Sequence, residues 1–83
     1  MNVSIFPNPF PGSTTVAYSM QREANVRIEI VNTLGERVML VSDGKRAEGE
    51  YKEEINASSL AEGSYILQFV CNGATYRHKI IKL

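Results

Sequence analysis

The sequence has few of the residues that carry catalysis or covalent cross-links. Its 83 residues include one cysteine, Cys71, one histidine, His78, and no tryptophan. A single cysteine excludes an intrachain disulfide and, with one histidine, offers no ligand spacing for zinc. We expect Cys71 to be a small buried side chain and His78 a solvated or half-buried strand residue. The sequence therefore predicts no catalytic residue, no metal site and no cofactor, and a protein that is not an enzyme.

An excess of one charge and long apolar runs are also absent. Nine Lys and Arg residues balance nine Asp and Glu residues, so the formal net charge at pH 7 is zero. Nucleic-acid-binding domains usually carry a marked basic excess, so we expect no nucleic-acid partner. No apolar run approaches the roughly 18–20 residues that span a bilayer, and the first residues lack the pattern of a signal peptide. The length fits one small domain.

Short segments in which apolar and polar residues alternate dominate the rest of the chain. Alternation with period 2 is typical of β-strands, because successive side chains point to opposite faces of a sheet. The segments begin about 10–14 residues apart, which is typical of all-β sandwiches. The predicted strands are residues 3–6, 14–20, 26–30, 38–41, 51–55, 65–70 and 76–81. We therefore predict an all-β fold in which two antiparallel sheets pack over one core.

Turn-forming residues separate these segments. Gly35 is suited to the left-handed conformation that closes a turn after residues 32–34. The dipeptides Asp-Gly at 43–44 and Asn-Gly at 72–73 both predict tight turns, the second as a two-residue hairpin loop. Residues 56–62 are compatible with one short helical turn. The wholly apolar residues 38–41 predict a strand that is buried on both faces or that lies against a partner.

Four stretches of the chain carry the features of a known family. They are an aromatic-Pro-Asn-Pro opening at 6–10, a strand and Leu-Gly turn at 28–38, a Leu-x-x-Gly-x-Tyr strand start at 60–67 and a basic, aliphatic ending at 78–82. In this order and spacing they resemble the type A C-terminal sorting domain of proteins exported by the type IX (Por) secretion system of Bacteroidota. The resemblance covers residues 5–82.

The resemblance implies a seven-stranded immunoglobulin-like β-sandwich and a non-catalytic role. Domains of this kind direct a cargo protein across the outer membrane to the cell surface or medium, and a surface sortase usually removes them. Residues 1–83 would be a single domain, excised from the C-terminus of a larger secreted protein. The implied partners are the upstream cargo and the translocon, shuttle and sortase components of the outer membrane.

The resemblance also implies roles for particular residues. The terminal segment would be recognised by the export machinery, and it consists of Lys79, Ile80, Ile81, Lys82 and Leu83. The motif residues with a scaffold role would be Pro7, Asn8, Pro9, Leu34, Gly35, Gly63 and Tyr65. A terminal strand is often an edge strand, whose unpaired backbone groups are available to another chain. We therefore expect docking through the terminal strand, and a homodimer through this edge or residues 38–41.

A fibronectin-like or carbohydrate-binding accessory domain is the alternative. Such a binding site normally presents exposed aromatic side chains on one sheet face. The alternation places Tyr18, Tyr65 and Tyr76 toward the core, which leaves Phe10 and Tyr51 as the candidates for a glycan platform.

Overall fold

The computed structural model of the protein describes residues 2–83, and over this range it consists of strands, turns and loops without a helix. Seven strands are present, as predicted. They are β1 (Val3–Phe6), β2 (Ser13–Met20), β3 (Ala24–Val31), β4 (Arg37–Arg46), β5 (Gly49–Asn56), β6 (Gly63–Cys71) and β7 (Ala74–Lys82). The described residues accordingly offer no helical segment that could cross a membrane.

The strands form two sheets, one of three strands in the order β1-β2-β5 and one of four in the order β4-β3-β6-β7. All neighbouring strands in both sheets run antiparallel. Because each sheet has an apolar inner face, the two sheets stack over a common core. The architecture is that of an immunoglobulin-like β-sandwich, which confirms the predicted fold class.

The core is built from the inward positions of both sheets. Val16 on β2, Ile28 and Ile30 on β3, and Leu67 and Phe69 on β6 are completely buried. Rings from the two sheets interlock there, since the Phe69 ring centroid lies 4.8 Å from that of Tyr18 in an edge-to-face arrangement. Burial of these side chains is the main favourable contribution to folding, because the described residues contain no disulfide.

Two of the predicted turns are confirmed. Cys71 pairs with Ala74, so Asn72 and Gly73 form a two-residue hairpin loop between β6 and β7. Both loop residues have positive φ angles, 54° and 84°, as a type I′ turn requires. Gly35 has a φ of 85° in the β3–β4 turn, where its N–H donates to the carbonyl of the residue at position 32 at 3.0 Å.

Two other local predictions are wrong. Residues 43–44 form no turn but lie within β4, where they pair with Arg27 and Val26. Pairing with β3 continues as far as Arg46, so tertiary hydrogen bonds override the local preference of Asp-Gly. Residues 56–62 form no helical turn, and Leu60 instead donates its N–H to the carbonyl of residue 57 in a single tight turn.

The apolar segment 38–41 is not buried on both faces. It lies on β4, an edge strand that pairs only with β3 and whose register shifts at two points. Val38 is 39% exposed and Leu40 is 47% exposed. The prediction of burial on both faces is therefore wrong, and contact with a partner stays a prediction for this segment.

Candidate recognition segment at the terminal strand

The terminal segment, residues 79–83, occupies the end of β7 at one edge of the four-stranded sheet. Strand alternation divides its side chains between two environments. Ile80 is completely buried and Lys82 is only 7% exposed. Lys79, Ile81 and Leu83 are exposed. Two of the five predicted recognition residues therefore belong to the interior, and three are accessible to a partner.

The Asn8 side chain clamps the outer edge of this segment. Its Nδ2 donates to the carbonyl oxygen of Lys79 at 3.0 Å, and its Oδ1 accepts the N–H of Ile81 at 3.0 Å. Both backbone groups point away from the sheet, and the Asn8 amide supplies the hydrogen-bond partner that no neighbouring strand provides. It takes the place that a residue of a neighbouring strand would occupy.

Phe10 extends the clamp by backbone pairing parallel to β7. Its N–H donates to the carbonyl of Ile81 at 3.0 Å, and its carbonyl accepts the N–H of Leu83 at 2.8 Å. The Phe10 ring is completely buried, which anchors this pairing in the core. β7 is an edge strand, as expected, but residues 8 and 10 occupy most of its free backbone edge along residues 79–83.

The loop that carries the clamp is fixed on its other side. The hydroxyl of Thr14, itself buried, donates to the carbonyl of Pro7 at 2.7 Å. Pro7 and Pro9 flank Asn8, both after cis peptide bonds, and neither has a backbone N–H. Pairing with β7 at this point therefore depends on the Asn8 side chain.

β6 supports the terminal segment from the opposite side. Gly63 pairs with Lys82, and Tyr65 pairs with Ile80. The Tyr65 hydroxyl donates to the carbonyl of Ala61 at 2.6 Å, four residues upstream. This bond is similar to the tyrosine corner of immunoglobulin-like domains, where a tyrosine near a strand start closes the preceding turn. The structure thus brings Gly63, Tyr65 and the Asn8 loop together around residues 79–83.

The Leu34–Gly35 turn lies apart from this assembly. The Asn32 side chain holds the turn, since its Oδ1 accepts the N–H groups of Leu34 and Glu36 at 2.9 and 3.0 Å. The Leu34 side chain is 82% exposed, so it contributes nothing to the core. Over residues 2–83, no hydrogen bond joins this turn to the terminal segment.

A polar cluster closes the opposite side of the sandwich, between β4 and β5. The Tyr18 hydroxyl donates to Glu53, and an Nη2 of Arg46 lies 3.8 Å from that carboxylate. Burial, and next the hydrogen bond to Glu53, raise the pKa of the Tyr18 hydroxyl well above its usual range. The hydrogen bond to Tyr18 raises the pKa of Arg46. These contacts join the two sheets and hold no nucleophile beside a base.

The aromatic side chains do not form a glycan platform. Phe10, a candidate for that role, is completely buried, so this assignment is wrong. Tyr51 is half-buried and stacks on Tyr18 with ring centroids 5.2 Å apart. Among the aromatic residues described, Phe6 alone is classed as exposed, at 47%. An isolated ring lacks the row of aromatics that sugar binding requires.

The two reactive side chains singled out from the sequence lie in the environments predicted for them. Cys71 is 9% exposed and belongs to the core, as predicted. His78 is half-buried on β7 opposite Leu67, which agrees with its predicted environment. No group of three metal-ligating side chains occurs among residues 2–83.

One comparison with known proteins gives a match. A family model described as a secretion system C-terminal sorting domain matches residues 4–83. The match contains the Asn8 clamp, the Tyr65 corner and the whole terminal segment. No curated protein gives a match to the chain.

Proposed function

The chain belongs to the family of secretion system C-terminal sorting domains, and we propose that the export machinery recognises its terminal segment, residues 79–83. Members of this family are the sorting signals of type IX secretion. The domain is attached to a cargo protein, interacts with the type IX machinery and directs the cargo across the outer membrane to the cell surface or medium.

The observation that carries the proposal is that the end of the terminal strand, at residues 79–83, has partners along both edges. β6 occupies one edge, and Asn8 and Phe10 occupy the other. Because most of its outer backbone groups are occupied, the segment interacts with a partner through side chains rather than by strand addition. The outward set of Lys79, Ile81 and Leu83 combines one ammonium with two exposed aliphatic groups.

The domain itself performs no reaction in this proposal. It is a folded label at the end of a larger secreted protein, and an outer-membrane sortase acts on it as a substrate. The support comes from the environments of the reactive groups, since Cys71 is buried in the core and His78 is flanked on its strand by Arg77 and Lys79. Nucleophilic catalysis requires a base that contacts the nucleophile and a third group that orients the base.

A second copy of the domain pairs through β4 in this proposal. The edge of β7 is covered at residues 79–83, whereas β4 pairs on one side only. Exposed aliphatic groups at Val38 and Leu40 accompany the open edge of β4. Edge strands with these properties associate with other strands.

The proposal for the terminal segment is tested by export of a cargo. Residues 1–83 are fused behind a fluorescent protein that carries a signal peptide, in a bacterium with a type IX system. The test variant combines Lys79→Gln, Ile81→Ser and Leu83→Ser, which leaves the buried positions and the backbone bonds in place. We expect fluorescence at the surface or in the medium to fall at least about tenfold, because the partner's contacts are removed.

Side-chain variants are preferable to truncation here. Deletion of residues 79–83 also removes the buried Ile80 side chain and the bonds to Asn8 and Phe10, so it confounds recognition with folding. Lys52→Gln serves as the matched control, at an exposed position of β5 in the other sheet. Normal export of the folded triple variant would refute the role of residues 79–83 and leave the family membership intact.

A further inference from the structure

We propose a second interaction surface, which adjoins the terminal segment. It lies on the outer face of the four-stranded sheet, where Arg27, Arg37 and Arg77 form what we call the arginine face. The geometry fits a protein partner whose surface presents carboxylates. Lys79 and Ile81 of the terminal segment continue this face by register, but the proposal concerns the three arginines and does not depend on the recognition of residues 79–83.

The strand register places the three arginines on one face. Residues that pair directly across an antiparallel sheet share a face, and Gln68 pairs with both Glu29 and Arg77. Arg27 and Val31 lie two positions before and after Glu29 on β3, so they share its face. Arg37 on β4 pairs with Val31 and lies on this face too. The arginines therefore fall in three successive cross-strand rows, about 6.8 Å apart along the strands.

A buried carboxylate and one amide organise these guanidinium groups. Glu29 is 8% exposed although it lies on the outer face, and its carboxylate is 3.7 Å from Arg27 Nε and 3.5 Å from Arg37 Nη1. Gln68 donates to Glu29 at 3.0 Å and accepts from Arg77 Nε at 2.8 Å. A continuous polar row thus links β4, β3, β6 and β7.

The arrangement leaves most of the guanidinium donors available. Arg27 and Arg77 are contacted at Nε, so their terminal Nη groups have no partner in residues 2–83. The side chains of Arg27 and Arg37 are 46% and 54% exposed. Guanidinium groups that are held in place lose less conformational freedom when they bind a carboxylate by two parallel hydrogen bonds.

The neutral net charge of the chain hides an uneven distribution. By register, the outer face of the four-stranded sheet carries Arg27, Arg37, Lys45, Arg77 and Lys79 against Glu29 and Asp43. The outer face of the other sheet carries Lys52 between Glu50 and Glu54. One face is therefore clearly basic and the other slightly acidic, and the basic face attracts an acidic partner.

A protein partner fits this face better than a lipid surface. The arginines surround aliphatic side chains, with Val31 buried and Ile66 and Val70 half-buried between them. Arginine among aliphatic side chains is typical of protein interfaces, where it forms directional hydrogen bonds. Membrane-surface binding instead uses a continuous apolar surface that inserts into the lipid. By register this face presents no aromatic residue, and its exposed aliphatic residues, Leu40 and Ile81, lie on opposite edge strands.

Nuclear magnetic resonance titration of the ¹⁵N-labelled chain tests the proposal. The probe is a ten-residue peptide of alternating Glu and Thr, and the control is the same peptide with Gln for Glu. We expect amide shift changes centred on Arg27, Gln68 and Arg77 with the acidic peptide alone. Combined Arg27→Gln, Arg37→Gln and Arg77→Gln should raise the Kd at least about tenfold, whereas Lys52→Gln on the other sheet should change it less than about twofold.

Two charge-conserving variants separate an organised site from simple attraction. Gln68→Met removes the hydrogen bonds that position Arg77 without changing the net charge, and Arg77→Lys keeps the charge but loses the guanidinium fork. Each should raise the Kd about threefold or more. Dispersed amide spectra confirm that each variant is folded.

Three results would overturn the proposal. One is absence of binding to the acidic peptide at millimolar concentration. Another is a Kd for the acidic peptide that is the same in wild type and in the triple arginine variant, or the same in wild type and in both charge-conserving variants. The third is binding to vesicles of phosphatidylglycerol and phosphatidylcholine without binding to the peptide, which would assign the face to a lipid surface.

Discussion

The Asn8 side chain bonds to β7 at two points, so its removal tests how far one residue secures the terminal strand. Asn8→Ala leaves the Lys79 carbonyl and the Ile81 N–H without their partner. Both bonds are solvent-accessible, so we expect the free energy of unfolding to fall by about 1–2 kcal/mol in urea titrations. Amide exchange at Ile81 should accelerate more than exchange in β3.

The matched control for this change is Asn25→Ala, at an exposed position of β3 whose side chain makes no hydrogen bond among residues 2–83. It should change the stability by less than about 0.5 kcal/mol. Asn8→Asp keeps the acceptor for Ile81 and loses the donor to Lys79, so its free energy of unfolding should lie between those of wild type and Asn8→Ala. Equal stability of the Asn8→Ala and Asn25→Ala variants would contradict the clamp.

Tyr18 gives the domain a predictable response to alkali. Burial and the hydrogen bond to Glu53 raise the pKa of its hydroxyl in the folded state. Between the unfolded pKa, about 10, and this raised value, the folded state holds a proton that the unfolded state loses. The stabilising effect is therefore complete below pH 10 and declines as the pH rises further, by at most about 1.4 kcal/mol per pH unit from this group.

Urea titrations between pH 8 and pH 11 measure this decline. Tyr18→Phe cannot ionise, so the difference in stability between wild type and this variant should shrink above pH 10. Ultraviolet absorbance of the phenolate supplies a second measurement, in which one of the four tyrosines ionises only as the protein unfolds. A stability difference that stays constant from pH 8 to pH 11 would rule out the raised pKa.

At the level of the single strand, one face of β7 packs in the core and the other is exposed to solvent. Ile80 is completely buried and Ile81 is 36% exposed, although the two residues are identical and adjacent. We expect Ile80→Ala to lower the free energy of unfolding by about 2–5 kcal/mol and Ile81→Ala by less than about 1 kcal/mol. Thermal and urea unfolding of the two variants provide the measurement, and similar losses would contradict the alternation.

Two similar turn dipeptides have different outcomes, and the reason lies in the strands around them. The Asn-Gly at 72–73 joins strands that pair directly with each other, so its local preference and the tertiary pairing agree. After the Asp-Gly at 43–44, the next two residues of β4 still pair with Ala24 and Asn25 of β3. The strand therefore continues through the dipeptide. Local turn chemistry predicts a turn only where the partner strand ends at the same place.

At the scale of the whole molecule, the two edges of the four-stranded sheet differ. Light scattering at increasing concentration should show the mass rising from 9.3 kDa toward twice that value if β4 pairs with a second copy. Leu40→Lys places a charge on that edge and should keep the domain at 9.3 kDa. Thr75→Lys on β7 is the control. If this change disrupts the dimer and Leu40→Lys does not, the copies pair through β7, which would contradict our proposal.

The fold class, the number of strands, two of the turns and the family could all be predicted from the sequence. These features depend on alternation and local turn chemistry, which are properties of short stretches of chain. Alternation also placed Tyr18 and Tyr65 in the core correctly. The family motifs located the terminal segment, and its role in recognition stays a prediction.

The contacts between distant parts of the chain could not be predicted from the sequence and follow from the folded structure. Asn8 and Ile81 are 73 positions apart, and no local pattern indicates that a proline-flanked amide will pair with the last strand. Phe10 is completely buried because the loop folds over the edge of the sandwich, not because of its neighbours in sequence. Long-range hydrogen bonds and burial depend on strand order, which sequence periodicity does not encode.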